Sequence, residues 1–336
     1  MGAWAIACVF LAGSSVVQQE PAATSLEFRV DPLIDLHSWV RKLASEQGEL
    51  PELEGLEPAV AFVRELDREL GHPLAWGPLE GALEGRENAG AAAEAFESLP
   101  ESFTLFGGKT IALRERAVGL ARALAGAEPG FREGIWPEHE RAVRGKLEEL
   151  ERDLVPKEAQ CLEFLMRGLG MDDPRVAIPV VLVAEAPWPG GVTHRRHGGG
   201  GICFVGLNAA EGSPFLETIL HEATHALEVS TASQKTVLAD LRERLIAAGI
   251  GESDRALRDV PHTLMFVHAA ATVRRILDPK HVPYGDAGYY SKVAPVGEIE
   301  VPLWNEHLDG KRSRDETLEA IVRGVLDSRA AAPAAK

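Results

Sequence analysis

Apolar positions from residue 60 to residue 169 recur at intervals of three and four, the signature of helices with one buried face. Val60, Val63, Leu66 and Leu70 form one such stripe, which Gly71 and Pro73 end. Segments 111–127 and 137–169 repeat the pattern, the second with Glu and Arg on its polar side. Pro156 divides that second segment and leaves a separate helix over 157–169, with Leu162, Leu165 and Met166 apolar. The Ala- and Gly-rich stretch 81–95 predicts a loop or a poorly packed helix. No internal repeat is present.

The pattern changes near Asp172-Asp173-Pro174. Residues 176–184 (VAIPVVLVA) are a short, nearly continuous run rich in β-branched side chains, which predicts a buried strand. Pro179 within it predicts an edge position or a bulge. A Pro/Gly turn and the basic loop His194-Arg195-Arg196-His197, ending in glycines, lead to a second strand over 202–207. Ser213 as N-cap and Pro214 at the first helical position then open a helix whose Leu216, Leu220, Ala223 and Leu227 share a face. Further helices are predicted over 234–248 and 262–277. A last one is opened by the capping box Ser313-x-x-Glu316. The order is helix-rich half, strands, then helices, which predicts a helix-rich α+β fold with a small sheet.

Composition refines this picture in three places. The chain of 336 residues is 45% hydrophobic and 26% charged, values of a globular protein rather than a disordered one. Its net charge of −16 argues against a nucleic-acid partner, whose phosphates select for excess Lys and Arg. Residues 3–17 are an uncharged apolar run, too short to span a membrane and of signal-peptide length, although no Lys or Arg precedes it. Ser14 stands where a lipoprotein would carry cysteine, so export to a secreted or periplasmic location is expected without lipidation or a membrane span in the mature chain. The resulting division is a signal peptide over 1–23, a helical region over 24–170, a catalytic domain over 171–328 and a disordered tail over 329–336. Cys161 and Cys203 fall in helical and strand patterns and read as two buried thiols.

The candidate chemistry sits in the helix after the second strand, at His221-Glu222-Ala223-Thr224-His225. Residues four apart stack on one helical face, so both imidazoles can address one metal ion. Zn²⁺ takes neutral imidazole nitrogens in a tetrahedral shell and keeps a position for water in catalytic sites. Glu222 lies about 100° around the helix, where a carboxylate reaches the water rather than the ion. Such a carboxylate takes a proton from zinc-activated water and returns it to a leaving amine. Histidines four apart on a solvated surface helix would satisfy the same spacing. The cap, the apolar opposite face and the strand just upstream favour the site.

On this motif the chain resembles the zincin metallopeptidases. The resemblance covers about sixty residues and implies a zincin-like catalytic domain hydrolysing peptide bonds in a peptide or protein substrate. It implies His221 and His225 as zinc ligands, Glu222 as general base and residues 202–207 as a substrate-binding edge strand. A metzincin is excluded by Thr231 and Glu228, which stand where that pattern needs histidine and glycine. A gluzincin-like layout draws its third ligand from a later helix, commonly a Glu, yet 268–272 (HAAAT) holds no acid. Two histidines remain there. Pro261-His262-Thr263-Leu264-Met265-Phe266, with Val273-Arg274-Arg275, resembles a pattern in uncharacterised bacterial exported proteins with the same motif, which favours His262. His268 is the alternative. The only tyrosines, Tyr284, Tyr289 and Tyr290, follow that helix, and zincins often stabilise the oxyanion from such a place. Tyr290 is the first candidate and Tyr284 the second. A competing reading is a degenerate zincin that serves as a non-catalytic binding module.

Overall fold

A four-stranded sheet separates two hydrophobic cores, and each core collects helices from different parts of the chain. The computed structural model describes residues 23–331 except 47, 72, 105–109, 188, 197–198, 233 and 288–295. The strands are β1 (Ser25–Val30), β2 (Phe103–Thr104), β3 (Thr110–Ile111), β4 (Ala177–Val183), β5 (Gly191–Arg195) and β6 (Gly201–Gly206). Helices of the first half are α1 (Pro32–Ser45), α2 (Leu56–Leu70), α3 (Gly77–Leu83), α4 (Ala89–Phe96), α5 (Leu113–Gly130), α6 (Trp136–Asp153) and α7 (Glu158–Leu169). Those of the second half are α8 (Ser213–Ser230), α9 (Val237–Ala247), α10 (Ala256–Thr272), α11 (Val296–Leu308) and α12 (Arg314–Ala331). Strand order in the main sheet is β1-β4-β6-β5, with β1 and β6 parallel to β4 and β5 antiparallel to β6. The two-residue strands β2 and β3 pair only with each other.

Burial on both faces explains why the strands read as continuous apolar runs. Val180 and Leu182 of β4 and Cys203 and Val205 of β6 enter the core shared with α8 and α10. Their alternating neighbours Val181, Val183, Ile202 and Phe204 enter the core built by α1–α5. The chain is therefore helix-rich α+β, as the periodicity predicted. Cys161 and Cys203 are buried free thiols, also as predicted. The capping box forms, with Ser313 N–H donating to Glu316 Oε2 at 2.9 Å and Glu316 N–H to Ser313 Oγ at 3.3 Å. No helix among the described residues is long and apolar enough to cross a membrane.

Several sequence expectations are corrected by packing. Pro179 lies in an interior strand, between β1 and β6, and not at an edge. It precedes the first β4–β6 pair, Val180↔Cys203, so it stands outside that ladder. The stretch 81–95 is well packed: Asn88 caps α4 through Ala91 N–H at 2.9 Å, and Ala89, Ala92 and Phe96 are fully buried. Small alanines let α4 approach α5 closely, which a hydrophobicity count understates. The segment 24–170 is not only helical, because β1 joins the sheet beside β4. Its α6 and α7 share a core with α8 through Val143, Leu150, Leu162 and Leu165, so the packing does not follow the division at 170/171. Helix α12 continues to Ala331, so residues 329–331 belong to it rather than to a tail. Alanine's helix propensity carries the extension.

One buried group sits against the grain of this packing. Glu300 of α11 is fully buried, and neither carboxylate oxygen has a partner among the described residues. Burial alone pushes its carboxyl well above the usual range. The folded state then holds a proton that the unfolded chain releases above its ordinary value of about 4.5. Stability from this group is present below that value and is lost as pH rises. Glu300→Gln should therefore raise the Tm, by about 2–4 °C for each kcal/mol relieved. Thermal melts at about pH 5 and about pH 8 should show the advantage widening at the higher pH; an advantage that shrinks would refute the assignment.

Candidate metal centre

Helix α8 begins one residue earlier than its capping signal suggests. Gly212, at φ 60°, is its N-cap, while Ser213 is already helical and turns its Oγ to His281 Nδ1 at 3.0 Å. Phe215, Ile219, Leu220, Ala223, Ala226 and Leu227 are all buried, so α8 is enclosed on more than one face. It lies close over the sheet. A Cβ built on Gly201 of β6 would stand 2.6 Å from Ala226 Cα, and glycine is what permits the approach.

On the α10 side of α8, three imidazoles converge. His221 Nε2 lies 3.2 Å from His225 Nε2 and 3.2 Å from His262 Nε2. One ligand atom from each of the three lies within 4.8 Å of the others. A tetrahedral ion with Zn–N bonds of about 2.0–2.1 Å would hold neighbouring nitrogens about 3.3 Å apart. Both spacings from His221 fit. Burial drives His221 well below its usual range, with His225 and His262 adding to the effect. Burial also brings His225 down to about 4 and His262 down to about 3. All three are thus neutral near pH 7, the protonation state a metal ligand needs. Phe266 lies one turn beyond His262, and its ring stacks on His221 at 3.6 Å between centroids and 19° between planes. The Pro-His-x-x-x-Phe spacing therefore brings a candidate ligand and a packing partner of His221 to the same place.

Glu222 turns to the sheet instead. Its Oε2 accepts a hydrogen bond from Thr193 Oγ1 at 2.7 Å, and its Oε1 lies 3.1 Å from where a Cβ on Gly191 would stand. Burial pushes the carboxyl up to about 7, against the lowering effect of Thr193. Both residues belong to β5, which among the described residues pairs only with β6 and is the sheet's edge. This corrects the expectation that 202–207 would be the edge: β6 is interior, between β4 and β5. The misreading has a physical cause. Strand β5 carries glycine, threonine, histidine and arginine, and its polar residues disguise it as a loop. On its other face His194 Nε2 meets Glu80 Oε2 of α3, and Arg41 Nη1 of α1 meets Glu80 Oε1 at 2.5 Å. Burial raises the Glu80 carboxyl, but Arg41 and His194 outweigh it and hold the group below the usual carboxylate range. The edge strand is thus tied on both faces.

The remaining candidates separate clearly. His268 is fully buried, takes the Trp304 indole N–H on Nδ1 at 3.1 Å, and places Nε2 3.2 Å from the carbonyls of Phe164 and Leu165. It is a core residue, and the structure brings His262 to the site in its place. Helix α10 does not start at His262. It begins at Ala256 and carries Pro261 inside, because Val260, Pro261 and Leu264 are buried in one continuous face. Interior proline costs about 3 kcal/mol, which the burial of that face offsets. Tyr290 and Tyr289 lie outside the described residues. Tyr284 is half-buried, its N–H donates to Glu217 Oε2 at 2.8 Å, and its ring lies 6.4 Å from that of Phe266. Glu228 pairs with Arg242 at 2.6 Å. Arg196 pairs with Glu84, while Arg274 bonds the His281 carbonyl and Arg275 pairs with Asp309, so these basic residues serve the fold. Thr193, Gly191 and Glu217 were not singled out from the sequence, where nothing marks them as neighbours of the motif.

No protein-family model, no curated protein and no solved structure matches this chain. The site therefore rests on its own geometry.

His262→Ala should lower zinc affinity sharply while leaving the metal-free fold intact. His268→Ala should do the opposite: zinc is retained, and stability falls by about 1–3 kcal/mol as Trp304 loses its buried acceptor. Chelator competition and denaturant unfolding on both variants check this. The reverse pattern would move the third-ligand role to His268.

Proposed function

We propose that the chain is an exported, zinc-dependent metallopeptidase with a zincin-like catalytic centre. The observation that carries this reading is the convergence of three neutral imidazoles beside a carboxylate braced on the edge strand. His221, His225 and His262 would hold the ion. Zinc bound there would supply a water of lowered pKa and a Lewis acid for a peptide carbonyl. Every other part of the reaction belongs to side chains of the protein. Thr193 fixes Oε2 of Glu222, which leaves Oε1, on the Gly191 side, to accept a proton and return it to the leaving amine. A carboxyl raised by burial is suited to both steps, since it binds and releases a proton near neutral pH.

The edge strand supplies the place for substrate. Strand β5 has one side paired with β6, and a peptide laid along the other side would lie next to Glu222. Gly191 keeps a side chain out of the space beside that carboxylate, where a Cβ would also meet Thr218 Cγ2 at 3.0 Å. Export fits the architecture, because the β1–β4 ladder begins at Ser25 and removal of 1–23 would leave it whole. An intact, braced Glu222 weighs against a degenerate, binding-only zincin, which has no use for a base there.

Elemental analysis should find near-stoichiometric zinc in the wild-type protein and none in His221→Ala. Glu222→Gln should keep the zinc and lose hydrolysis of a quenched fluorescent peptide library by at least about 100-fold. Zinc with no hydrolysis in the wild type would favour the binding module. No zinc in either protein after reconstitution would remove the metal centre.

A further inference from the structure

His221 poses a problem that the three-histidine centre leaves open. Its Nδ1 is buried and has no hydrogen-bond partner among the described residues. When Nε2 of an imidazole ligates a metal, the proton must sit on Nδ1, which becomes a donor in need of an acceptor. One turn earlier on the same face of α8, Glu217 has the complementary defect. Its Oε1 is buried and has no partner among the described residues either. A buried donor and a buried acceptor, each unsatisfied and four residues apart, stand on adjacent turns of one helix. Side chains on a helix lean toward its N-terminus, so a ring at 221 is directed toward the turn that carries Glu217.

The rest of the Glu217 carboxylate is already fixed. Oε2 receives His281 Nε2 at 2.6 Å and Tyr284 N–H at 2.8 Å, and His281 Nδ1 is held in turn by Ser213 Oγ at 3.0 Å. These bonds anchor the loop after α10 to α8, but they use only one of two oxygens. Phe266 covers the face of the His221 ring, so the ring can turn in its own plane more easily than it can tilt away. We propose that Glu217 is the positioning carboxylate of the metal centre. On this account Oε1 accepts the Nδ1–H of His221 when Nε2 ligates, which fixes the tautomer and aims the ring. The inference rests on the metal-centre reading and adds to it a residue outside the His221–His225 motif.

The test uses the full chain with zinc alone as probe. Imidazole ¹⁵N–¹H spectra of the zinc-loaded wild type should show a hydrogen-bonded His Nδ1–H that the metal-free protein lacks and Glu217→Met abolishes. Chelator competition should show zinc affinity falling about 10–100-fold in Glu217→Met and by less in Glu217→Gln, whose amide oxygen can still accept. His281→Gln loosens the same loop but leaves the carboxylate, so it should bind zinc nearly as the wild type does. Equal losses in Glu217→Met and His281→Gln would make Glu217 a loop anchor only and overturn the proposal. A zinc-loaded wild type without the low-field Nδ1–H would overturn it too, even if the variants failed to fold. A wild type that binds no zinc would instead overturn the metal-centre reading itself.

Discussion

Close packing of α8 against the edge strand β5 is the constraint on which the site depends. The helix brings Glu222 to the sheet and His221 with His225 to the adjacent side, where α10 adds His262. Gly191 and Gly201 permit the approach, and Thr193 then meets Glu222 at hydrogen-bonding distance. If the helix stood farther off, water would separate Thr193 from the carboxylate and solvate the imidazoles. Their pKa values would return toward ordinary ones, because burial is the main cause of every shift in the group.

The same strand is held from behind by a different kind of interaction. On the α8 face the contacts are neutral or singly charged, whereas on the far face Arg41 and Glu80 form a buried ion pair joined by His194. His37, also buried, lies 3.7 Å from Glu80, and Arg41 stacks on Trp76 at 4.4 Å. A buried pair of this kind adds little net stability over an apolar equivalent, yet removing one partner is costly. Its effect is to specify position. The helices α1 and α3 of the first half thereby help set where β5 lies, and with it the carboxylate of the second half.

Unsatisfied polar atoms are informative because so few buried groups tolerate that state. For Glu300, whose carboxyl burial raises well above its usual range, a proton is the simplest resolution. His221 and Glu217 do have complementary needs, on one helix and one turn apart. A bound metal ion fixes which imidazole nitrogen carries the proton, and so turns two defects into one hydrogen bond. On the proposed metal centre, metal binding and local order would be coupled at this point of the fold.

The sequence alone determined the features whose cause is local. Helical periodicity marked α2, α5 and α7, the four-residue spacing put His221 and His225 on one face, and the Ser313–Glu316 pair announced α12. Each needs only the geometry of a single element. Tertiary structure alone decided the choice between His262 and His268, because both occupy one helix and only the packing of α8 and α11 tells a converging imidazole from one bonded to Trp304. It likewise decided the edge strand: β5 is short and polar because α3 and α8 bury it through specific hydrogen bonds rather than through apolar contact. Thr193, Gly191 and Glu217 take their roles from neighbours far along the chain or on other elements. No pattern along the sequence encodes those distances, since they are set when the helices close on the sheet.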